Sequence, residues 1–353
     1  MYSMKRKSKR WLFWVGLVIS VVFLFLAFRK IDYSALWGTL LDTRWWWLLP
    51  GLGIYYIGVL VRTWRWQYLI KPLKKVSIPT LFPIINIGYM GNNVFPLRMG
   101  EVLRAVVLKR HENISISGTL ATIVVERIFD AVVVIGFVLL NLGQLTGVGS
   151  FAQLSGWAAW AAGIFLFGLI VFILVAILPQ PAQRILHGMI NSVLPKSWRK
   201  PTIGFADKFL DGLKSLRSPK AVLMILFNSI LIWLLETGLY WCVDRALGLG
   251  LNFGQLMLMN GVVNLVLLIP AAPGGLGTFD AAVRAVLEAF GILSEPALGY
   301  TLVLRIALWV PITLVGTIYF LREGLKWTTD VSEMQAQAET DTDKDLDEDY
   351  YGR

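Results

Sequence analysis

Asn92-Asn93-Val94-Phe95-Pro96-Leu97-Arg98-Met99-Gly100-Glu101-Val102-Leu103-Arg104 sets three charges and a proline between two long apolar segments. The depth at which this stretch sits decides the fold. At membrane depth its charges are expensive and mark a functional site whose partner must be named; in an aqueous loop they mean little.

The rest of the chain supplies that depth. Its 353 residues are 56% hydrophobic and only 16% charged, with 15 Trp and a mean hydropathy of +0.63. That is more apolar surface than a soluble domain can hide, so the composition predicts an all-α polytopic membrane protein. The single cysteine, Cys242, permits no internal disulfide, and with only His111 and His187 no metal site or cofactor is expected. From Asp330 onward nine acids stand against Lys344 and Arg353, a balance of −7 within a net charge of +10. Residues 329–353 therefore read as a solvated, disordered acidic tail. Residues 1–10 form a basic cytoplasmic start, and 11–328 form the membrane domain.

Working outward, Trp11–Phe28 lacks a small-residue cleavage site and reads as an uncleaved anchor with its basic start inside. A second span from about Trp45 to Val61 opens on three tryptophans and leads into Arg62, Arg65, Lys71, Lys74 and Lys75 without one acid, which reads as a cytoplasmic loop. Arg62 and Arg65 are taken there as topology determinants. The segment from Ile78 is broken by prolines, glycines and Asn92-Asn93, and Lys109-Arg110 follow soon after. A full crossing would strand these cations outside, so the spacing predicts a re-entrant hairpin from the cytoplasm with Asn92–Arg98 at its tip.

Thr119–Leu140 is the next span. Glu126 and Asp130, four apart, share one helical face on which a cation such as Arg98 could pair with them. After Trp157–Leu178, residues 179–220 are basic with interleaved apolar positions, as suits helix on the cytoplasmic interface rather than a nucleic-acid patch. Ala221–Val243 carries Glu236 near its outer end, read as interfacial. Two prolines and three glycines break the chain between Leu256–Ile269 and the stretch ending at Phe290, which carries Asp280 and Arg284. A final span, about Ala297–Phe320, holds Arg305 at depth.

With a second hairpin entering from outside, every basic segment lies inside. The expectation is about six full transmembrane helices plus two re-entrant hairpins forming a candidate inverted repeat, in the plasma membrane with both termini cytoplasmic. Asn93, Pro96 and Gly100 shape the first hairpin, and Pro273, Gly274, Gly275 and Gly277 the second.

Asn92-Asn93-x-Phe95-Pro96-Leu97-Arg98-x-Gly100-Glu101-x-x-Arg104, Glu126-Arg127-x-x-Asp130, Pro273-Gly274-Gly275-Leu276-Gly277 and Arg305…Trp309-x-Pro311 resemble the lysylphosphatidylglycerol synthase transmembrane (flippase-like) family over roughly residues 10–325. The resemblance implies an integral membrane protein. Its best understood members are the membrane half of a bacterial protein that makes and flips aminoacylated phosphatidylglycerol, and free-standing relatives are linked to glycolipid or polyprenyl-phosphate pathways. Asp280 stands where the family often has Glu. Only the acidic tail follows residue 325, so lysyl-lipid synthesis is not expected here.

The chain lacks the Gly-Lys-Ser/Thr of a P-loop, Gly-x-Ser-x-Gly and His-Glu-x-x-His. The expected function is therefore a non-enzymatic lipid translocator. Arg98, Arg104, Arg284 and Arg305 would hold the phosphate-bearing headgroup of a phospholipid, glycolipid or polyprenyl-phosphate lipid, and Glu101, Glu126, Asp130 and Asp280 would balance them when the site is empty. A membrane transferase using Glu101, Glu126 or Asp130 as a base, and a lipid-binding scaffold, stand as alternatives.

Overall fold

The computed structural model describes residues 33–95, 99–145, 163, 174, 178–193, 195–267 and 273–324, and every regular element among them is helical. The expected anchor Trp11–Phe28, most of Trp157–Leu178, Pro96, Arg98, Pro270 and the acidic tail lie outside the described residues.

Four helices are long: α2 (Leu48–Ile70), α5 (Ile116–Asn141), α8 (Pro219–Leu247) and α11 (Ser294–Arg322), with 23, 26, 29 and 29 residues. At about 1.5 Å per residue they run roughly 35–44 Å, enough for a hydrocarbon layer of about 30 Å. On length and composition together α8 and α11 qualify as membrane spans even with Glu236 and Arg305 inside them, whereas α2 carries Arg62 and Arg65 and α5 carries Glu126, Arg127 and Asp130. A short α1 (Tyr33–Leu41) and a 3-10 turn at Trp45–Trp47 lead into α2. The basic segment forms α6 (Pro179–Val193) and α7 (Lys196–Gly212), each with apolar and polar faces segregated as an interfacial helix requires.

Between the long helices lie two helical hairpins. The first pairs α3 (Ile78–Val94) with α4 (Gly100–Glu112), and the second pairs α9 (Phe253–Val266) with α10 (Thr278–Ala289). These arms of 12 to 17 residues span only about 18–26 Å, too short to cross. The sequence dictates both breaks. Phe95 precedes Pro96 and is extended, φ −95° and ψ 146°, because a proline disfavours helical backbone before it. In the second hairpin Gly274 has φ +63°, and a side chain there would also run into the Trp309 ring, so only glycine fits.

The long helices and the first arms of the hairpins pack antiparallel in crossed pairs. On α2, Gly51 lies against Leu239 and Cys242 of α8, and Gly58 against Leu235. On α3, Phe82 meets Tyr319 of α11 edge to face, and Asn93 donates to the Thr313 hydroxyl at 2.9 Å. On α9, Gly254 lies against Asn141 and Gly261 against Val138 of α5. These three pairings have a pattern. If α2–α5 is one unit and α8–α11 the other, then α2 meets its counterpart α8, while the α3–α11 contact is matched by α9–α5. This exchange of contacts is the pattern that an inverted repeat would produce. Since α2 and α8 run in opposite directions, the hairpins that follow them start from opposite ends of the bundle, and the tip residues 273–275 reach α3 in between.

Each hairpin has its own core. Trp66, Ile85, Met90, Leu103, Val107 and Phe320 belong to that around the first, and Tyr240, Met259, Val283, Leu287 and Tyr300 to that around the second. In lipid such helices are held by close packing rather than by hydrophobic transfer, so the smallest contacts matter most. A Cβ on Gly100 would sit 1.8 Å from the Gly88 carbonyl oxygen, whereas one on Gly136 meets nothing within 4 Å. Gly100→Ala is expected to lower stability by about 1–3 kcal/mol through overpacking, and Gly136→Ala to leave it unchanged or raise it. Thermal unfolding of the two variants in one detergent checks this.

The structure corrects one expected boundary. The helix read as ending at Val61 continues to Ile70, so Arg62 and Arg65 lie inside a long helix and are buried rather than in a loop.

Candidate functional site

Arg65 is 1% exposed and sits at the centre of a buried ion network. Its guanidinium forks onto Asp130, with Nη1 to Oδ1 at 2.5 Å and Nη2 to Oδ2 at 3.2 Å, and Nη1 also donates to the Ser229 hydroxyl at 2.7 Å. Trp233 Nε1–H donates to the same Asp130 Oδ1 at 3.1 Å. One turn earlier on α5, Glu126 stands 3.8 Å from Arg65 and accepts a 2.9 Å bond from Arg104 Nη1. The Arg104 guanidinium lies over the Trp66 ring at 4.0 Å, and its aliphatic stem passes over Gly88. Arg62 pairs with Glu236 of α8 and donates to the Tyr89 hydroxyl at 3.2 Å. Four helices, α2, α4, α5 and α8, thus each contribute charge, and burial on this scale is tolerated only because the charges neutralise one another.

The second hairpin carries a separate pair. Arg305 forks onto Asp280, Nε to Oδ1 at 2.7 Å and Nη2 to Oδ2 at 2.6 Å, and reaches the Gly275 carbonyl at 3.4 Å. Asp280 Oδ2 also accepts from the Gly277 N–H at 2.9 Å, so the carboxylate caps the start of α10, where a negative charge suits the helix dipole. Phe279 and Trp309 flank the guanidinium at 4.9 and 4.4 Å.

This pair has a counterpart in the first unit. Glu101 lies in the first turn of α4 and accepts a 2.9 Å bond from Arg127, the twelfth residue of α5; Asp280 lies in the first turn of α10 and binds Arg305, the twelfth residue of α11. In each unit, therefore, a carboxylate at the start of the hairpin's returning arm is tied to an arginine at the same place in the next long helix. The ties differ in burial: the Glu101 and Arg127 side chains are 25% and 34% exposed, against 4% and 11% for Asp280 and Arg305.

Not every donor is used. Arg104 Nε and Nη2 and Arg305 Nη1 are buried without a hydrogen-bond partner, as is Asn92 Oδ1 at the first tip. An unsatisfied buried guanidinium N–H costs free energy, and an anion placed against it would recover that cost with charge-assisted bonds.

The expected residues are placed as follows. Glu101, Arg104, Glu126 and Asp130 converge where α4 meets α5, and Asp280 with Arg305 at the second tip. Arg284 lies one turn beyond Asp280, bonded to Glu288 at 2.6 Å and Ser294 at 3.3 Å. Arg98, expected to face Glu126 and Asp130, lies outside the described residues; the partners found for those acids are Arg104 and Arg65. Glu101, expected to balance Arg98 and Arg104, accepts a bond from Arg127, while Arg98 lies outside the described residues. Glu236, read as interfacial, is largely enclosed against Arg62, its side chain 12% exposed. Sequence reasoning missed Arg62, Arg65 and Glu236 as members of the network. The available signal was Trp64-Arg65-Trp66, which continues the apolar helix past Val61 without a breaker until Pro72. Among the described residues no group of His, Cys, Asp and Glu is arranged to hold a metal ion.

With the geometry in place, comparison with known proteins is informative. Residues 13–316 match the family described as Lysylphosphatidylglycerol synthase TM region. The chain belongs to this family. It is 26% identical over 293 residues to a UPF0104 membrane protein of Methanothermobacter thermautotrophicus, covering 77% of this chain and 83% of that one. Against a UPF0104 membrane protein of Methanocaldococcus jannaschii identity is 23% over 324 residues, covering 86% and 93%. A third relative, Glycosyltransferase AglD of Haloferax volcanii, is 24% identical over 329 residues; the match covers 86% of this chain but 53% of that protein, about half its length. The protein is thus a membrane protein of the lysylphosphatidylglycerol synthase transmembrane family, similar to UPF0104 members over most of their length.

Proposed function

We propose that this chain moves a phosphate-bearing lipid headgroup across the membrane, holding it between the tips of two hairpins that re-enter from opposite faces. The observation that carries this reading is the pair of arginines Arg104, which is buried, and Arg305, which is largely enclosed, each fixed by a carboxylate yet each keeping a buried N–H group without a partner. Broken helices meeting near the midplane are how transporters build sites for charged substrates, and arginine suits phosphate geometry. Acyl chains would stay in lipid while the headgroup crosses. Family membership supports the lipid context without naming the lipid.

The test is headgroup crossing of labelled lipid in liposomes. Arg104→Lys and Arg305→Lys keep a charge for Glu126 and Asp280 but lose the fork, and are expected to slow crossing about tenfold or more, the equivalent of about 1.4 kcal/mol. Unchanged rates in folded variants would overturn the assignment.

The relative named Glycosyltransferase AglD favours a second reading, a membrane-embedded transferase acting on a lipid-linked substrate. Under it, a donor-dependent lipid product appears when purified protein is given a panel of activated sugars, and Glu126→Gln abolishes that product.

A further inference from the structure

Beyond the buried network, the chain builds a second basic feature at the end of α2. Residues 71–77 fold back there: Gln67 Nε2 donates to the Val76 carbonyl at 2.8 Å, and Lys74 bridges to the end of α4, its Nζ 2.8 Å from the Glu112 carboxylate and 2.9 Å from the Glu112 carbonyl. These ties hold open a cavity of about 270 Å³ lined by Gln67, Tyr68, Lys71, Lys75 and Val76. Lys74 has taken the nearby acid. Lys71 and Lys75 are exposed, and neither has an acidic partner among the described residues. Two ammonium groups therefore share one pocket with a phenol and an amide, and no acid among the described residues neutralises them.

We propose that this pocket binds a phosphate-bearing anion at the base of the first hairpin. Lysine ammonium groups are strongly hydrated point charges that suit a mobile phosphate, while Tyr68 and Gln67 offer polar contacts to the rest of a headgroup. Size argues for a small group: the cavity lies below the roughly 300–1,000 Å³ of sites for drug-sized ligands, so it admits a headgroup and not an acyl chain. Position argues for a lipid as one source of that phosphate. The exposed Trp64 stands less than two turns before Lys71, and aromatic residues of this kind mark the headgroup level. The same chemistry would accept free phosphate. The site is independent of the translocation reading, since Lys71 and Lys75 contact none of the buried arginines or acids.

The experiment uses the full chain in phosphatidylcholine nanodiscs in three arms: no addition, a minor fraction of phosphatidic acid, or inorganic phosphate in solution. The rate at which Lys71 and Lys75 are acetylated by a water-soluble ester is read by mass spectrometry, with exposed Lys220 as the reference. Protection relative to Lys220 by phosphatidic acid alone identifies a lipid headgroup, and protection by inorganic phosphate identifies the soluble anion. Either result supports the pocket, and native mass spectra of Lys71→Gln/Lys75→Gln should then show about tenfold weaker retention of the protecting species. Acetylation of Lys71 and Lys75 relative to Lys220 that is the same in all three arms would overturn the proposal. Because both lysines are exposed, the variant is expected to melt with the wild type. Failure of the pocket would leave headgroup crossing and its dependence on Arg104 and Arg305 untouched.

Discussion

Arg65→Met is expected to destabilise the protein by about 3–5 kcal/mol, among the largest losses from any single substitution in the described residues. Removing one member of a buried pair leaves its partner as an uncompensated charge, and that penalty exceeds the worth of the pair itself. Without Arg65, the Asp130 carboxylate keeps the Trp233 N–H at 3.1 Å and Arg127 at 3.9 Å, neither of which replaces a bidentate guanidinium. Glu126 keeps Arg104. The companion double variant Arg65→Met/Asp130→Leu should recover much of the loss, because replacing both charges by apolar groups is often close to neutral. Thermal unfolding in a single detergent measures both. A double variant no better than the single would show that Arg65 is held mainly by Glu126 and Ser229.

The second large effect separates the two matched ties. Arg305→Met leaves Asp280, buried at the start of α10, with the Gly277 N–H as its one partner among the described residues, and should also cost about 3–5 kcal/mol. Arg127→Met breaks the equivalent tie in the first unit, but its side chain is 34% exposed, so solvent screens the charge left on Glu101 and the loss should stay under about 1 kcal/mol. Equal losses would mean that the burial difference does not reflect the folded protein. Inequality in this direction would show that the tie at the second tip contributes more to stability than its counterpart at the first.

Much of this architecture can be read from the sequence because its causes are local. Phe95-Pro96 and the clustered Pro273–Gly277 announce both breaks, although a lone proline does not suffice, since Pro83 and Pro311 lie inside α3 and α11; apolar runs announce the long helices. Glu126 and Asp130 show themselves as inward-facing by spacing alone. The buried network is harder to read because its partners are far apart in the chain: Arg65 finds Asp130 65 residues away, and Arg62 finds Glu236 174 residues away. Counting basic residues against topology assigns such arginines to loops, a rule that holds for Lys71, Lys74 and Lys75 and fails for two residues whose neutralising acids lie on other helices. The Arg284–Glu288 bond is local, four residues apart on one helix, and was open to the same reading that paired Glu126 with Asp130. The matched ties could be found only after the fold, since nothing in either segment says that the twelfth residue of one helix faces the first turn of another.

The proposed headgroup site depends on two hairpins that enter from opposite faces and meet inside the bundle. One measurement addresses that directly. In a background with buried Cys242 replaced by alanine, a single cysteine is placed at exposed Arg110, at the base of the first hairpin, or at exposed Leu293, at the base of the second. A membrane-impermeant thiol reagent is then applied to sealed vesicles of each orientation. The cysteine at 110 should react only from the cytoplasmic face and the cysteine at 293 only from the opposite face. Reaction of both from one face would contradict the inverted arrangement and, with it, the site between the tips.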